Sequence, residues 1–320
     1  MKALTASICV ALTALALSLS PGAPSYAEED EAGVLTQQMK QLYNAGKYIE
    51  ALPLAQKALA LREKEFGADD ARVAMPLNDL GTIHYNLGQY PVAELLYKRA
   101  LANREKTLGP DSTEVATVLN NLGELYRAEA HYAEAEPLLK RSIAIREKVL
   151  GRGDPSIVMA MSNLAAVYSG QGRYDQSEPL FKRGLTILQK ANGPDDPEAT
   201  VLMSNLADTY IHQHRYAEAE RLLKRSIAVT QKAYGPDHPD VAQALNNLAT
   251  LYARQGRNAE AERLYKQSVV MFEKTLGPDH PDLVDILDNL AAFYKDQGRT
   301  ADAQQLFRRS AAIRAKARPI

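Results

Sequence analysis

The sequence predicts an all-α solenoid of about seven helix–turn–helix units, and three observations predict it. Gly67, Gly109, Gly151, Gly193, Gly235 and Gly277 stand 42 residues apart, as do Leu80, Leu122, Leu164, Leu206, Leu248 and Leu290. Within one unit, apolar residues recur at the i, i+3, i+4, i+7 spacing of an amphipathic helix. No insertion or deletion breaks the register from about residue 46 to the end. A fixed period of this length marks stacked units, each too small to bury its apolar face alone.

Residues 1–27 read as a secretory signal peptide. Met1-Lys2 supplies a positive start, Ala3 to Ser20 carries no charge, and Pro21-Gly22 stops any helix. Ser25 and Ala27 then place small residues at the −3 and −1 sites of a cleavage signal. The apolar run is at the short limit for a bilayer span and contains five Ser or Thr residues, which favours cleavage over an anchor. The expected mature chain, residues 28–320, is exported to the periplasm or secreted, with no membrane insertion after cleavage. The one cysteine, Cys9, leaves with the signal, so neither a disulfide framework nor a cysteine zinc site is expected.

The units fall at about 31–67, 70–109, 112–151, 154–193, 196–235, 238–277 and 280–317. In the unit after Pro239, Leu245, Leu248, Ala249 and Tyr252 form the stripe of a first helix that ends at Gly256. Ala261, Leu264, Tyr265, Ser268 and Val269 form the stripe of a second helix. Gly277 suits a left-handed C-terminal cap, with Pro278 blocking continuation and Pro281 near the next first turn. The Gly-Pro-Asp-His-Pro-Asp segment at 235–240 is therefore helix punctuation and not a phosphate loop. Glu94–Lys98, Glu136–Lys140, Glu178–Lys182, Glu220–Lys224 and Glu262–Lys266 are i, i+4 pairs in the favourable order. They predict a solvated outer face, with a partner-binding stripe as the other reading. The first and last units carry Leu52/Gln56 and Gln304/Arg308 instead, as terminal units of an array do.

Composition removes several function classes. Lys plus Arg number 38 against 39 Asp plus Glu, so there is no basic footprint for DNA or RNA. The 46% hydrophobic content and near-zero net charge exclude a disordered chain.

The run Leu245-Asn246-Asn247-Leu248-Ala249, then Tyr252, Gln255-Gly256-Arg257 and Ala259-Glu260-Ala261-Glu262, resembles the tetratricopeptide repeat. More narrowly, it resembles the 42-residue variety of kinesin light chains and many bacterial proteins. The resemblance covers roughly Glu31 to Lys316 as seven helix pairs, the first with a short opening helix from about Glu31 to Asn44. Departures are His84 for the aromatic, Ser177 for the small Ala, His214 for the turn Gly, and Asn258 and Thr300 for the Tyr opening the second helix. None breaks the period.

The resemblance implies a right-handed superhelix whose first helices line a concave face that binds a partner protein or extended peptide. It implies inward positions at Asn78, Asn120, Asn121, Asn163, Asn205, Asn246, Asn247 and Asn289, and later in the first helices at Tyr85, Arg127, His212, Arg254 and Lys295. Asn carries one acceptor and two donors, so it can clasp a peptide backbone. Hydrogen bonding between neighbouring helices explains the same ladder, and both readings stand at this point. Arg127 and Arg254 suit acidic groups or a terminal carboxylate, or are solvated helix-end charges. At about 10 Å per helix and ~3.3 Å per residue, seven units span a segment of roughly 20 residues.

A catalytic reading finds little support. The six histidines take a core position (His84), turns (His131, His212, His214) or the repeated loop (His238, His280). His212 and His214 do not share a face of a regular helix, and no acidic third ligand recurs nearby, so no metal site is expected. Ser204 and His212 lie near each other without a nucleophile elbow. The expectation is a non-enzymatic scaffold or adaptor without cofactor. An exported carrier or sensor of a small ligand or peptide is the alternative, and self-association through an end unit stays open.

Overall fold

The computed structural model describes residues 26–317. Most of the expected signal segment, with Cys9, lies outside the described residues. Seven helix pairs follow one another: α1 (Tyr26–Asn44) with α2 (Tyr48–Phe66), α3 (Ala74–Asn86) with α4 (Tyr90–Leu108), α5 (Thr113–Ala128) with α6 (Tyr132–Leu150), and α7 (Val158–Gly170) with α8 (Tyr174–Asn192). Then come α9 (Ala199–His212) with α10 (Tyr216–Tyr234), α11 (Pro239–Arg254) with α12 (Asn258–Leu276), and α13 (Leu283–Asp296) with α14 (Thr300–Ala317). No strand occurs among the described residues. The opening helix of the first unit begins at Tyr26 and not near Glu31, so it is longer than the sequence suggests.

Each helix packs on its partner, and the second helix of each pair packs on the first helix of the next unit. From α3 onward the odd-numbered helices also touch the next odd-numbered helix, whereas successive even-numbered helices do not meet. The stack therefore bends toward the odd helices, which line its concave face. The core is a ribbon running down the stack. Leu77, Leu119, Met161, Met203 and Leu251 are fully buried on the odd helices, and Tyr97, Leu139, Phe181 and Leu223 on the even ones. Burying one such side chain stabilises by roughly 1.5–3 kcal/mol.

Local chemistry sets the helix ends. Ser112 caps α5 by accepting from the Val115 amide, and the His238 ring accepts from the Asp240 amide at the start of α11. Ala71–Val73 and Pro155–Ile157 form single 3₁₀ turns ahead of α3 and α7, entered through Asp70 and Asp154. The turn inside each unit needs a left-handed residue. Gly256 supplies it at φ 74°, whereas Ala130 (58°) and His214 (60°) adopt it without glycine. The Gly277 end differs from the expected left-handed cap. Its φ is 95° but its ψ is 162°, a backbone region open essentially to glycine alone.

Candidate binding groove on the concave face

Contacts between units hold the odd helices in place. Glu136 accepts from Lys140 Nζ at 2.6 Å, from the Tyr168 hydroxyl at 3.2 Å and from Arg173 at 2.7 Å. The Arg173 guanidinium lies 4.3 Å above the Tyr168 ring. Tyr168 and Arg173 belong to the following unit, so this cluster joins neighbours. Arg173 and then Lys140 hold the Glu136 carboxyl down at about 2. Glu220–Tyr252–Arg257 and Glu262–Tyr294–Arg299 repeat the arrangement. Glu178 takes Arg215 while that guanidinium covers Tyr210. The glutamates of the i, i+4 pairs are thus inter-unit anchors and not merely a solvated face. The sequence carried the signal, since Arg173, Arg215, Arg257 and Arg299 also stand 42 residues apart. At the first junction Leu52, His84 and Gln89 replace the three partners, and the His84 ring pairs with the Gln89 amide.

The asparagines follow a second rule. Asn121 Nδ2 on α5 donates to Asn78 Oδ1 on α3 at 2.9 Å, and Asn163 Nδ2 on α7 donates to Asn120 Oδ1 on α5 at 3.1 Å. Asn289 Nδ2 on α13 reaches Asn246 Oδ1 on α11 at 3.4 Å. Each rung joins the residue just before the repeated Leu to the residue two before it in the preceding unit. Asn120 and Asn246 are 4% and 1% exposed, deep between the helices. Where the acceptor position holds the shorter Ser162 or Ser204, no rung forms. The Asn205 side chain makes no hydrogen bond among the described residues, and Asn247 only accepts from Gln243 Nε2 at 3.2 Å. Asp79 takes the donor position on α3. Burial raises its carboxyl, and its Oδ2 is buried without a partner.

Two cavities lie along the odd helices. A cavity of about 530 Å³ lies over α9, α11 and α13, lined by Ser204, Asn205, Asp208, Gln243, Asn247 and Asn289 among others. On the other side of α9, a cavity of about 500 Å³ is lined by Asn120, Asn121, Asn163, Met159, Leu202 and Arg146. Arg127 and Arg254, read either as partners for acidic groups or as solvated helix-end charges, lie in different surroundings. Arg127 ends α5, half-buried, with its Nε buried and unpartnered. Arg254 is exposed at the end of α11. The Asp208 side chain is 61% exposed at the groove wall, yet the protein packed around it leaves its carboxyl above the ordinary value, a rise that His212 and then Arg254 oppose. Of the other inward positions, the Tyr85 hydroxyl reaches Glu124 at 3.4 Å. Burial and then that carboxylate push it up to about 12. His212 stacks on Tyr174 at 4.9 Å, while His214 meets Tyr216, so the two rings diverge. Among the described residues no three His, Cys, Asp or Glu side chains gather in a group that can hold a metal. No helix there is long and apolar enough to cross a membrane.

Residues 40–106, 84–148, 156–228, 198–274 and 241–316 match the family model of the tetratricopeptide repeat. No curated protein matches the sequence. Among solved structures, the chain is similar to a single-substitution variant of a Podosopora anserina protein, described as a kinesin light chain with nearly identical TPR-like repeats. Identity there is 28%, with 62% of this chain and 93% of that chain covered and a TM-score of 0.50. BtubC (BKLC) from P. vanneervenii shares 21% identity over 73% of this chain and 91% of its own, with a TM-score of 0.53. The Rap conjugation gene regulator of plasmid pLS20, solved with the Phr* peptide, shares 16% identity. It covers 94% of this chain and 79% of its own, with a TM-score of 0.67.

Proposed function

Because the chain belongs to the tetratricopeptide repeat family, we propose that it is a non-enzymatic adaptor. It holds an extended segment of a partner protein in the groove lined by its odd-numbered helices. One observation carries this reading: Asn205 and Asn247 stand without rung partners beside a cavity of about 530 Å³. Asn205 offers its whole amide, and Asn247 its Nδ2 donor, to a peptide backbone. A cavity of this size also suits a small ligand, so a carrier is the second reading.

The test is capture from an envelope extract by the native protein beside its Asn205→Ala/Asn247→Ala form, after circular dichroism shows equal helicity and stability. A partner retained only by the native protein supports the adaptor. Identical capture by both moves the working surface away from this groove. A carrier instead gains thermal stability from small molecules alone. Residues 1–27 support export with cleavage after Ala27, which the N-terminal sequence of the protein recovered outside the cytoplasm tests.

A further inference from the structure

We propose that the groove selects an extended peptide carrying a bulky apolar side chain and, three to six residues from it, a lysine or arginine. This inference rests on the peptide-binding reading above. Two register positions carry it. The first is Met75, Thr117, Met159, Val201, Gln243 and Asp285, all exposed on the odd helices and 42 residues apart. Met159 is 65% and Val201 61% exposed, so packing does not require an apolar group at either. Along the stack this position passes from apolar to amide to carboxylate. Met159 lines the cavity on one side of α9 and Val201 and Gln243 the cavity on the other. A flexible thioether suits an apolar group of irregular shape.

The second position lies on the even helices. It holds Arg62, Arg104 and Arg146, then Leu188, Thr230 and Phe272. Arg146 lines the cavity of about 500 Å³ beside Met159 and donates to Thr117 Oγ1 at 2.7 Å, whereas Thr230 lines the cavity of about 530 Å³ beside Val201. The base is therefore missing where Asp208 and Asp240 line the groove with exposed carboxylates. The basic side chains beside these carboxylates are His212, 3.7 Å from Asp208, Arg254 near Asp208, and His238, 3.6 Å from Asp240. An apolar anchor over Met159 and Val201, a backbone held by Asn205 and Asn247, and a cation toward Asp208 and Asp240 complete one another. Neighbouring odd helices stand about 10 Å apart. At ~3.3 Å per residue that is about three residues per helix, which sets the separation of anchor and cation.

A positional-scanning array of acetylated nonapeptide amides, probed with the purified protein, tests this. The expected result enriches Leu, Met, Ile or Phe together with Lys or Arg three to six positions away, the cation preferred over Asp or Glu about fivefold. Asp208→Asn/Asp240→Asn abolishes the cation preference and keeps the apolar one, and Met159→Ser/Val201→Ser does the reverse. A cation preference that survives Asp208→Asn/Asp240→Asn overturns the inference. Peptides that bind without a charge preference, yet are lost with Asn205→Ala/Asn247→Ala, overturn it while leaving the groove reading in place. An array with no enrichment over scrambled controls overturns both.

Discussion

Replacing Asn120 by Ala removes the acceptor for Asn163 Nδ2 in a site only 4% exposed. The stranded donor predicts a loss of about 1–3 kcal/mol in urea unfolding. Asn205 carries the same amide without a partner, so Asn205→Ala is expected to change stability by no more than about 0.5 kcal/mol. Equal losses at the two positions contradict the division of the asparagines into rungs and groove. Backbone conformation provides a second contrast. Ala130 holds a left-handed turn at φ 58° that Gly256 fills at 74°. Ala130→Gly is expected to raise stability by about 0.5–1 kcal/mol, less strain being partly offset by a freer unfolded chain. Gly256→Ala is expected to lower it by a similar amount.

Between elements, the Glu–Tyr–Arg clusters fix how one pair sits on the next. The Glu136 and Glu262 carboxyls, ordinarily at 4.5, are held at about 2 by the bases against them. The folded chain thus binds fewer protons than the unfolded chain across that interval. The stability from these clusters is complete above about 4.5 and is lost as pH falls toward 2. Thermal midpoints followed through this interval should drop more steeply for the native protein than for Glu136→Gln. That variant should start from a lower midpoint at neutral pH. Parallel curves would remove the cluster from the account of inter-unit stability.

In the whole molecule each unit rests only on its neighbours, so stability is a sum of units and junctions. The first junction has Leu52, His84 and Gln89, the second Glu94, Tyr126 and His131, and the last four Glu, Tyr and Arg. Helices α1 and α2 are expected to open before α5 to α12, showing as faster amide hydrogen exchange across Tyr26–Phe66. Uniform protection along the stack would contradict this. The same neighbour-only contact explains the groove. Closer approach of odd helices than of even ones bends the stack, and the bend brings Met159, Asn205 and Asn247 from separate units to one concave surface.

The repeat and its helices were legible in the sequence because they depend on local periodicity, whereas the extended ψ of Gly277 was not. Leu245, Leu248, Ala249 and Tyr252 mark a buried face from their spacing alone. The inward asparagines were legible as a register, but not as two groups. Whether an amide pairs or stays free depends on the residue 43 positions earlier, across a helix contact: Asn120 reaches Asn163, and Ser162 is too short for Asn205. The anchoring role of Glu136 was likewise hidden, since its i, i+4 lysine is local while Tyr168 and Arg173 arrive from the next unit. The sequence alone thus determined the unit and its count. Only the tertiary structure decided which polar groups join units and which face the groove, because those choices rest on side-chain reach between helices far apart in the chain.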